Sequence, residues 1–213
     1  MSKGKEYEFL APMYDAVFEP FLRKLRETIV DQIPPKSRVL EVACGTGAQA
    51  VRMRRIDPVY TGVDLSEDML RKARKKRVNC IEADGRDLPF EEGEFDAATI
   101  TLALHEMDPE VRRGITGELL RLLRPGGVLI VGDYTVPPEG TSFYGAVVKK
   151  GIHLIEYFAG GDHYKNYLIF MSEGGLHSYL DGLDAHIKGN VTIVDTVPFF
   201  HENMAVIKLE KAG

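Results

Sequence analysis

A short glycine-rich segment, VLEVACGTG over residues 39–47, is the part of the sequence best suited to hold a ligand. An apolar strand runs into a turn that contains Gly45 and Gly47, and glycine permits both unusual backbone conformations and the close approach of a ligand. The stretch GTGAQA, residues 45–50, also fits the dinucleotide pattern G-x-G-x-x-G/A, with Asp64 about 20 residues further on. Taken alone, the loop is compatible with a dinucleotide, with a different ligand that approaches the glycines, or with a tight turn that binds nothing.

Three acidic residues near the ends of successive predicted strands narrow this choice. Glu41 lies inside the strand before the loop, Asp64 ends the second strand, and Asp84 follows the third. A carboxylate at position 41 would repel a pyrophosphate but suits an ammonium group. The second acid can accept two hydrogen bonds from a ribose diol, and the third can face the exocyclic amine of adenine. Together these groups describe S-adenosylmethionine, so we expect it as the cofactor and S-adenosylhomocysteine as the product.

The segment after the fourth strand, residues 101–107, is expected to lie over the cofactor and to face the acceptor. His105 is the best candidate there for a base or an acceptor-orienting group, with Glu106 beside it, and a purely structural histidine is an equal alternative. The histidines lack metal-ligand spacing, so no metal is expected. Other polar residues that could line the pocket are Asp133, Tyr134, His153, His163 and Tyr164.

Regular alternation of strands and helices positions these groups. Apolar runs rich in β-branched residues predict strands over residues 38–42, 59–63, 78–83, 95–102 and 128–131. Helical patterns lie between them at residues 48–56, 67–77 and 110–124. Ser66 is a plausible N-cap of the second helix. Such alternation favours parallel strands with helices on both faces, and a ligand at the carboxyl ends of the strands where their order reverses.

The C-terminal part predicts two further strands, residues 191–197 and 205–209, joined by a short connection. Their closeness in sequence indicates an antiparallel hairpin at a sheet edge. The predicted fold is therefore α/β: a Rossmann-like, doubly wound, mostly parallel seven-stranded sheet with an antiparallel C-terminal edge hairpin. A chain of this length favours a single domain over residues 1–213, because cores usually divide only beyond about 250 residues.

Two regions depart from the alternation. Residues 1–36 are expected to form an N-terminal helical lid region with a helix over residues 18–33, and residues 135–187 a helical insertion over the substrate pocket. The apolar residues of the insertion either pack on the sheet edge or form a pocket for an aromatic or lipid-like acceptor. These residues are Phe143, Tyr144, Ile152, Leu154, Ile155, Tyr157 and Phe158.

The composition excludes several classes of protein. A net charge of −5 argues against a nucleic-acid partner, and the basic run at residues 71–77 is read as a solvated helix face. Cys44 and Cys80 are too few for a disulfide framework, which indicates a reducing compartment. We find neither an apolar leader nor an apolar run of ~20 residues. A cytoplasmic location without stable membrane insertion is expected, and the oligomeric state is left open.

At the level of motifs, the sequence resembles the class I S-adenosylmethionine-dependent methyltransferases over most of its length. FLAPMYD at residues 9–15 makes the ubiquinone/menaquinone biosynthesis group the most similar one. Ala43 stands where many members have glycine. The segments that carry the resemblance are VLEVACGTG (39–47), TGVDLSEDML (61–70), EADGRDLPF (82–90), FDAATITLALHEM (95–107) and LLRPGG (122–127).

The resemblance implies a role for residues in each motif. Asp64 would hold the ribose, and Leu65 and Met69 would pack near the adenine. Tyr14 would lie over the cofactor as a lid residue, with a core tyrosine as an equal alternative. The complete set of implied cofactor-binding residues is Tyr14, Glu41, Ala43, Cys44, Gly45, Gly47, Asp64, Leu65, Met69, Asp84, Gly85, Arg86, Thr101 and Leu102.

The expected function is methyl transfer from S-adenosylmethionine to a small-molecule acceptor, with an aromatic or lipid-like compound as one option. A non-catalytic S-adenosylmethionine-binding module is the main alternative. An NAD-dependent oxidoreductase is less favoured, because Glu41 and the terminal hairpin argue against it. Nucleic-acid methylation is disfavoured by the acidic charge. The sequence determines neither the acceptor nor the methylated atom.

Overall fold

A seven-stranded sheet forms the centre of the computed structural model, which describes residues 22–138, 140, 142–183 and 190–213. The strand order is β3-β2-β1-β4-β5-β7-β6; the first five strands pair in parallel, and β7 is antiparallel to both β5 and β6. The predicted fold class is confirmed. The strands are β1 (Arg38–Val42), β2 (Val59–Asp64), β3 (Cys80–Glu82), β4 (Phe95–Thr101), β5 (Leu123–Tyr134), β6 (Val191–Phe199) and β7 (Met204–Lys211).

Helices cover the sheet, and local signals in the sequence set their ends. Ser66 caps its helix as predicted, because its side chain accepts the N–H of Met69. Asp108 caps the next long helix in the same way and is followed by a proline at the first helical position. The helices are α1 (residues 22–31), α2 (Ala48–Met53), α3 (Glu67–Lys75), α4 (Pro109–Leu122), α5 (Phe143–Ala159), α6 (Gly161–Ser172) and α7 (Gly175–Asp181), with 3₁₀ turns at Arg54–Ile56 and Leu104–Glu106.

The strand order reverses beside β1, which pairs with β2 on one side and with β4 on the other. Helices on both faces bury these central strands, so their residues are almost continuously apolar, as in Val39, Leu40 and Val42. A crevice at such a reversal, beyond the carboxyl ends of the strands, is the usual ligand site of this architecture.

The start of β5 differs from the prediction. The helix predicted over residues 110–124 was expected to be followed by a Pro-Gly-Gly turn and a strand from Val128. In the structure α4 ends at Leu122 and β5 begins directly at Leu123. Leu123 pairs with Phe95, and the next pair joins Val128 to Ala97. The Pro-Gly-Gly residues therefore form an irregularity inside the strand, which Gly126 accommodates with a φ of 70°.

The insertion between β5 and β6 consists of α5, α6 and α7 within the described residues. Helices α6 and α7 bury Tyr167, Phe170, Leu176 and Leu180. Helix α5 packs Ile152 against the core but presents a second apolar face to solvent. Its exposed apolar side chains include Phe143, Tyr144, Val147, Leu154, Tyr157 and Phe158.

Two of our predictions reach residues that the structure leaves undescribed. The described part of the predicted N-terminal helix, residues 22–31, is helical. The remainder of the lid region, including Tyr14, lies outside the described residues. Within the described chain no helix combines the length and the apolar character needed to cross a membrane.

Arg112 ties the insertion to the sheet domain. Its side chain on α4 is 1% exposed and donates two hydrogen bonds to the carbonyl of Met107. It also pairs with Glu173 at 2.9 Å and lies 4.8 Å from the ring of Phe170. A buried guanidinium with three hydrogen bonds and an aromatic contact fixes the position of α6 against α4.

We expect Arg112→Ala to lower the free energy of unfolding by about 2–4 kcal/mol, because it leaves a cavity and a buried carbonyl without its donor. Urea unfolding measures this loss. Arg113→Ala is the matched control, since Arg113 is exposed on the same helix. Equal stabilities of the two variants would contradict the assigned role.

Candidate active site

The loop after β1 adopts a left-handed backbone at alternate positions: Ala43, Gly45 and Gly47 have φ values of 57°, 53° and 71°. Among the residues that the structure describes, a Cβ on Gly45 would meet no atom within 4 Å, so this face of the loop offers room for a ligand. A Cβ on Gly47 would approach the side chain of Val78 to 2.9 Å, so glycine there permits close packing. Ala43 tolerates a backbone that costs L-residues about 1–2 kcal/mol.

Asp64, at the end of β2, holds this loop in place. One carboxylate oxygen accepts the N–H of Gly45 at 2.8 Å, and the other accepts the N–H of Ser66 at 2.9 Å. An ionised carboxylate offers about four acceptor positions, so Asp64 can also accept a hydrogen bond from a ribose hydroxyl. Burial raises the pKa of Asp64, the two backbone hydrogen bonds oppose this, and the charge of Glu106 raises it further.

Glu41 is a nearly buried carboxyl group, 3% exposed, beneath the loop. Desolvation raises its pKa to about 7, although the hydroxyl of Tyr60 donates a hydrogen bond of 2.6 Å to it. The positive charge of Arg26 lowers this pKa and the negative charge of Asp64 raises it. A carboxylate in such a place gains most from a cation, and the ammonium group of S-adenosylmethionine fits that requirement.

Asp84 and its neighbours follow β3. Arg86 donates to both oxygens of Asp84, at 3.0 Å from Nε and 2.5 Å from Nη2, and these hydrogen bonds lower the pKa of Asp84. A Cβ on Gly85 would lie 2.8 Å from the side chain of Val42, so this glycine allows the turn to pack against β1. The roles of Asp84, Gly85 and Arg86 toward adenine stay predictions.

Some polar atoms beside the loop and at the end of β4 lack partners. The hydroxyl of Thr101 and both side-chain amide atoms of Gln49 are buried and make no hydrogen bond to any described residue. Leu102 turns the chain away with a φ of 52°. Buried polar groups are normally satisfied, so unpaired atoms beside a loop that is open at Gly45 fit a site that a polar ligand completes.

Apolar surface lies at the start of α3. Leu65 is 68% exposed and Met69 is half-buried, in line with the predicted contact with a planar base. Cys44 is buried in the loop, and burial raises the pKa of its thiol. That thiol is therefore a packing group rather than a nucleophile.

A second polar group, which we call the histidine cluster, lies beyond β4 and β5. Nδ1 of His105 lies 2.7 Å from a carboxylate oxygen of Asp133, and Nε2 lies 3.7 Å from Oε1 of Glu156. Nε2 of His163 contacts the other oxygen of Glu156, and its Nδ1 lies 3.6 Å from Glu106. The five members are His105, Glu106, Asp133, Glu156 and His163.

The charges of the histidine cluster compensate one another. Burial acts to lower the pKa of His105, but Asp133, Glu156 and Glu106 together outweigh it and the pKa is raised. Burial also opposes ionisation of His163, yet Glu106 and Glu156 raise its pKa to about 10. Glu156 keeps a pKa below its usual value through His163 despite its own desolvation. Buried charges persist where partners surround them in this way.

Aromatic rings form one wall of the histidine cluster. The hydroxyl of Tyr134 donates to Glu156 at 2.7 Å, and its ring lies 4.5 Å from that of His105. Tyr164 pairs with His153 at 2.7 Å and stacks near Tyr167. Of the polar pocket residues proposed from sequence, Asp133, Tyr134 and His163 thus join His105, whereas His153 and Tyr164 form a separate pair.

Glu156 is the member of the cluster that sequence reasoning missed. A signal was present, because Glu156 is the only acidic residue of α5, FYGAVVKKGIHLIEYFA, and lies in its apolar second half. A single buried acid on an apolar helix requires a partner. The partner could not be identified from sequence, since it lies on the next helix and is reached only by the turn at Gly160.

Known proteins share this fold and these motifs. A family model described as a methyltransferase domain matches residues 39–127. A demethylmenaquinone methyltransferase of Thermus thermophilus is 33% identical over 71% of this chain and 74% of its own length. One of Clavibacter sepedonicus is 37% identical, but the match spans only 42% of that protein. A SAM-dependent methyltransferase of Thermotoga maritima, titled a possible histamine N-methyltransferase, has a TM-score of 0.68 at 22% identity and covers 99% of this chain and 100% of its own.

The fold, the glycine loop and the relative from Thermus thermophilus thus define a class I S-adenosylmethionine-dependent methyltransferase, and the predicted cofactor is confirmed. Within that class, the chain belongs to the menaquinone methyltransferase group. The residues described above fit this cofactor: Glu41 suits its ammonium group, Asp64 its ribose, and the open face of Gly45 its close approach.

We expect Glu41→Gln to stabilise the cofactor-free protein above about pH 7 and to leave it unchanged near pH 4. The folded-state pKa of Glu41 is about 7 against an ordinary 4.5. Between these values the folded protein keeps a proton that the unfolded chain has lost, so the stability of the wild type falls as the pH rises. Thermal unfolding across pH measures the effect, with an expected gap of at least about 2 °C at pH 8.

Glu82→Gln is the matched control, because Glu82 is exposed at the end of β3. A gap between Glu41→Gln and wild type that stays constant with pH would show that Glu41 does not titrate as described.

Proposed function

We propose that this chain transfers the methyl group of S-adenosylmethionine to a small, apolar acceptor that carries an aromatic or quinone-type ring. The observation that most strongly supports S-adenosylmethionine as the methyl donor is the loop at Gly45. Its backbone N–H donates to Asp64, and the buried carboxyl group of Glu41 lies in the strand before it. The relatives named demethylmenaquinone methyltransferases support a quinone-type acceptor.

When bound, S-adenosylmethionine supplies a methyl group already activated on a sulfonium, so the chain needs no nucleophile of its own. Its residues contribute by position. Glu41 would fix the amino-acid end of the cofactor and Asp64 the ribose, while Thr101 offers a buried hydroxyl at the end of β4. A donor held in this way allows in-line attack by an acceptor bound over β4, and the water-poor surroundings limit side reactions.

The acceptor side is supported by the histidine cluster and its aromatic wall. Thr101 and His105 are separated by one short turn, so the two halves of the site are continuous. Tyr134 and Tyr167 are buried, lie 5.7 Å apart and edge-on, and pack beside His105, so they hold the imidazole in place at this end of the site. The exposed apolar face of α5 adds surface on which a lipid-like tail could rest.

We also propose that the protein works in the cytoplasm on a small molecule rather than on nucleic acid. Cys44 and Cys80 are both free and buried, which suits a reducing compartment. The net charge of −5 suits a nucleic acid poorly. The lid role of residues 1–36 and the pocket-covering role of residues 135–187 remain part of this proposal.

We expect Asp64→Asn to weaken the binding of S-adenosylhomocysteine at least tenfold, because a charged acceptor of the ribose hydroxyls is lost. Calorimetric titration measures the affinity. Asp57→Asn is the matched control: Asp57 is exposed after the 3₁₀ turn before β2, far from the loop, and asparagine tolerates its left-handed backbone.

NADH is titrated in parallel with S-adenosylhomocysteine. Preference for NADH, or equal loss of affinity in Asp57→Asn and Asp64→Asn, would contradict the assignment of the loop. Binding of S-adenosylhomocysteine without turnover on any reduced quinone would favour the non-catalytic alternative instead.

His105 is our proposed acceptor-side residue, since its Nε2 faces the carboxylate of Glu106, which is 38% exposed. We expect His105→Gln to lower turnover about 100-fold while S-adenosylhomocysteine still binds. Release of S-adenosylhomocysteine with a panel of reduced quinones measures turnover. The control is His177→Gln, an exposed position on α7; unchanged turnover in His105→Gln would remove this residue from the site.

A further inference from the structure

Each of the two imidazoles of the histidine cluster uses one ring nitrogen on a buried carboxylate. Nδ1 of His105 bonds Asp133 at 2.7 Å, and Nε2 of His163 bonds Glu156. The side chains of Asp133 and Glu156 are 1% and 4% exposed. A carboxylate behind a histidine fixes its tautomer and orientation, as it does behind metal-binding histidines.

The remaining ring nitrogens point toward a third carboxylate. Nε2 of His105 lies 3.9 Å from one oxygen of Glu106, and Nδ1 of His163 lies 3.6 Å from the other. The three residues place one ligand atom each within 4.8 Å of one another. Ligand atoms bound about 2.0–2.1 Å from a tetrahedral ion lie about 3.4 Å apart. The two distances to Glu106 exceed this by about 0.2 and 0.5 Å, and side-chain rotation must draw in all three ligand atoms, which now lie within 4.8 Å of one another.

We propose that His105, Glu106 and His163 bind a divalent first-row transition metal ion through Nε2, one carboxylate oxygen and Nδ1, respectively. Two imidazoles and one carboxylate are a ligand set that such ions accept, and it leaves coordination positions open. Asp133 and Glu156 act as the orienting carboxylates behind the two histidines. This departs from the sequence expectation of no metal, which rested on spacing along the chain.

Glu106 is 38% exposed, against 3% for His105 and 13% for His163, so an acceptor would reach the ion from the side of Glu106. Glu106 also lies near enough to Asp64 for its charge to affect the pKa of that residue, so the ion would lie beside the cofactor end of the site. An ion there would hold an acceptor hydroxyl and polarise it. This use of the ion rests on the proposed function, whereas the binding of the ion rests only on the geometry of the triad.

The test is a titration of chelator-treated protein with Co²⁺, followed by its visible absorption bands and by displacement with Zn²⁺. We expect one ion per chain, and an affinity at least tenfold lower in both His163→Gln and Glu106→Gln. His177→Gln is the matched control, since His177 is exposed on α7, and its affinity should equal that of the wild type. Glu106→Gln guards against misfolding, because its side chain is partly exposed; thermal unfolding in chelator confirms that each variant is folded.

Absence of stoichiometric Co²⁺ binding, or binding that persists unchanged in both triad variants, would overturn the metal site. The titration of S-adenosylhomocysteine is repeated in chelator. A wild-type protein that binds S-adenosylhomocysteine but no Co²⁺ would reject the metal site and leave the proposed function standing. A protein that binds Co²⁺ but no S-adenosylhomocysteine would reject the proposed function and leave the metal site standing.

Discussion

Parallel pairing of β1 with both β2 and β4 is the constraint on which the rest of this structure depends. It brings the carboxyl ends of three strands to one edge, where the backbone must turn sharply and cannot bury its N–H groups in the sheet. The hydrogen bond from Gly45 to Asp64 satisfies one of these groups and ties two strand ends together. The loop, its open glycine face and the first turn of α2 all follow from that connection.

Buried carboxyl groups are the second determinant of the site. Glu41, Asp133 and Glu156 are nearly inaccessible to water, and each must be neutralised, hydrogen-bonded or paired. Glu41 accepts a hydrogen bond from Tyr60 and has a raised pKa, which a bound cation would lower again. Asp133 and Glu156 have histidines instead. The buried charge of Glu41 thus suits a cationic ligand, whereas the buried charges of Asp133 and Glu156 are balanced by histidines of the chain itself.

The insertion contributes Glu156 and His163 to the histidine cluster, so its attachment to the sheet decides the geometry of that cluster. Glu156 and His163 reach His105 because the chain breaks between α5 and α6 at Gly160, and because α6 contacts the 3₁₀ turn after β4, where Asn166 donates to the carbonyl of Glu106. Arg112 on α4 holds α6 through an ion pair with Glu173 and a contact with the ring of Phe170. The outward face of α5 remains apolar and exposed, which leaves this side of the molecule suited to a greasy ligand.

Local patterns in the sequence were enough to predict the α/β alternation, the glycine loop, the acids near the strand ends and the N-cap at Ser66. Each of these features depends on neighbouring residues and on the spacing of apolar positions along the chain. It misplaced the start of β5, since a bulge is decided by pairing with β4 and not by the Pro-Gly-Gly signal alone. Only the tertiary structure brought His163 and Glu156 to His105, and only it showed that α5 does not bury its aromatic face. These features depend on how separate helices pack, a property that no local pattern of residues encodes.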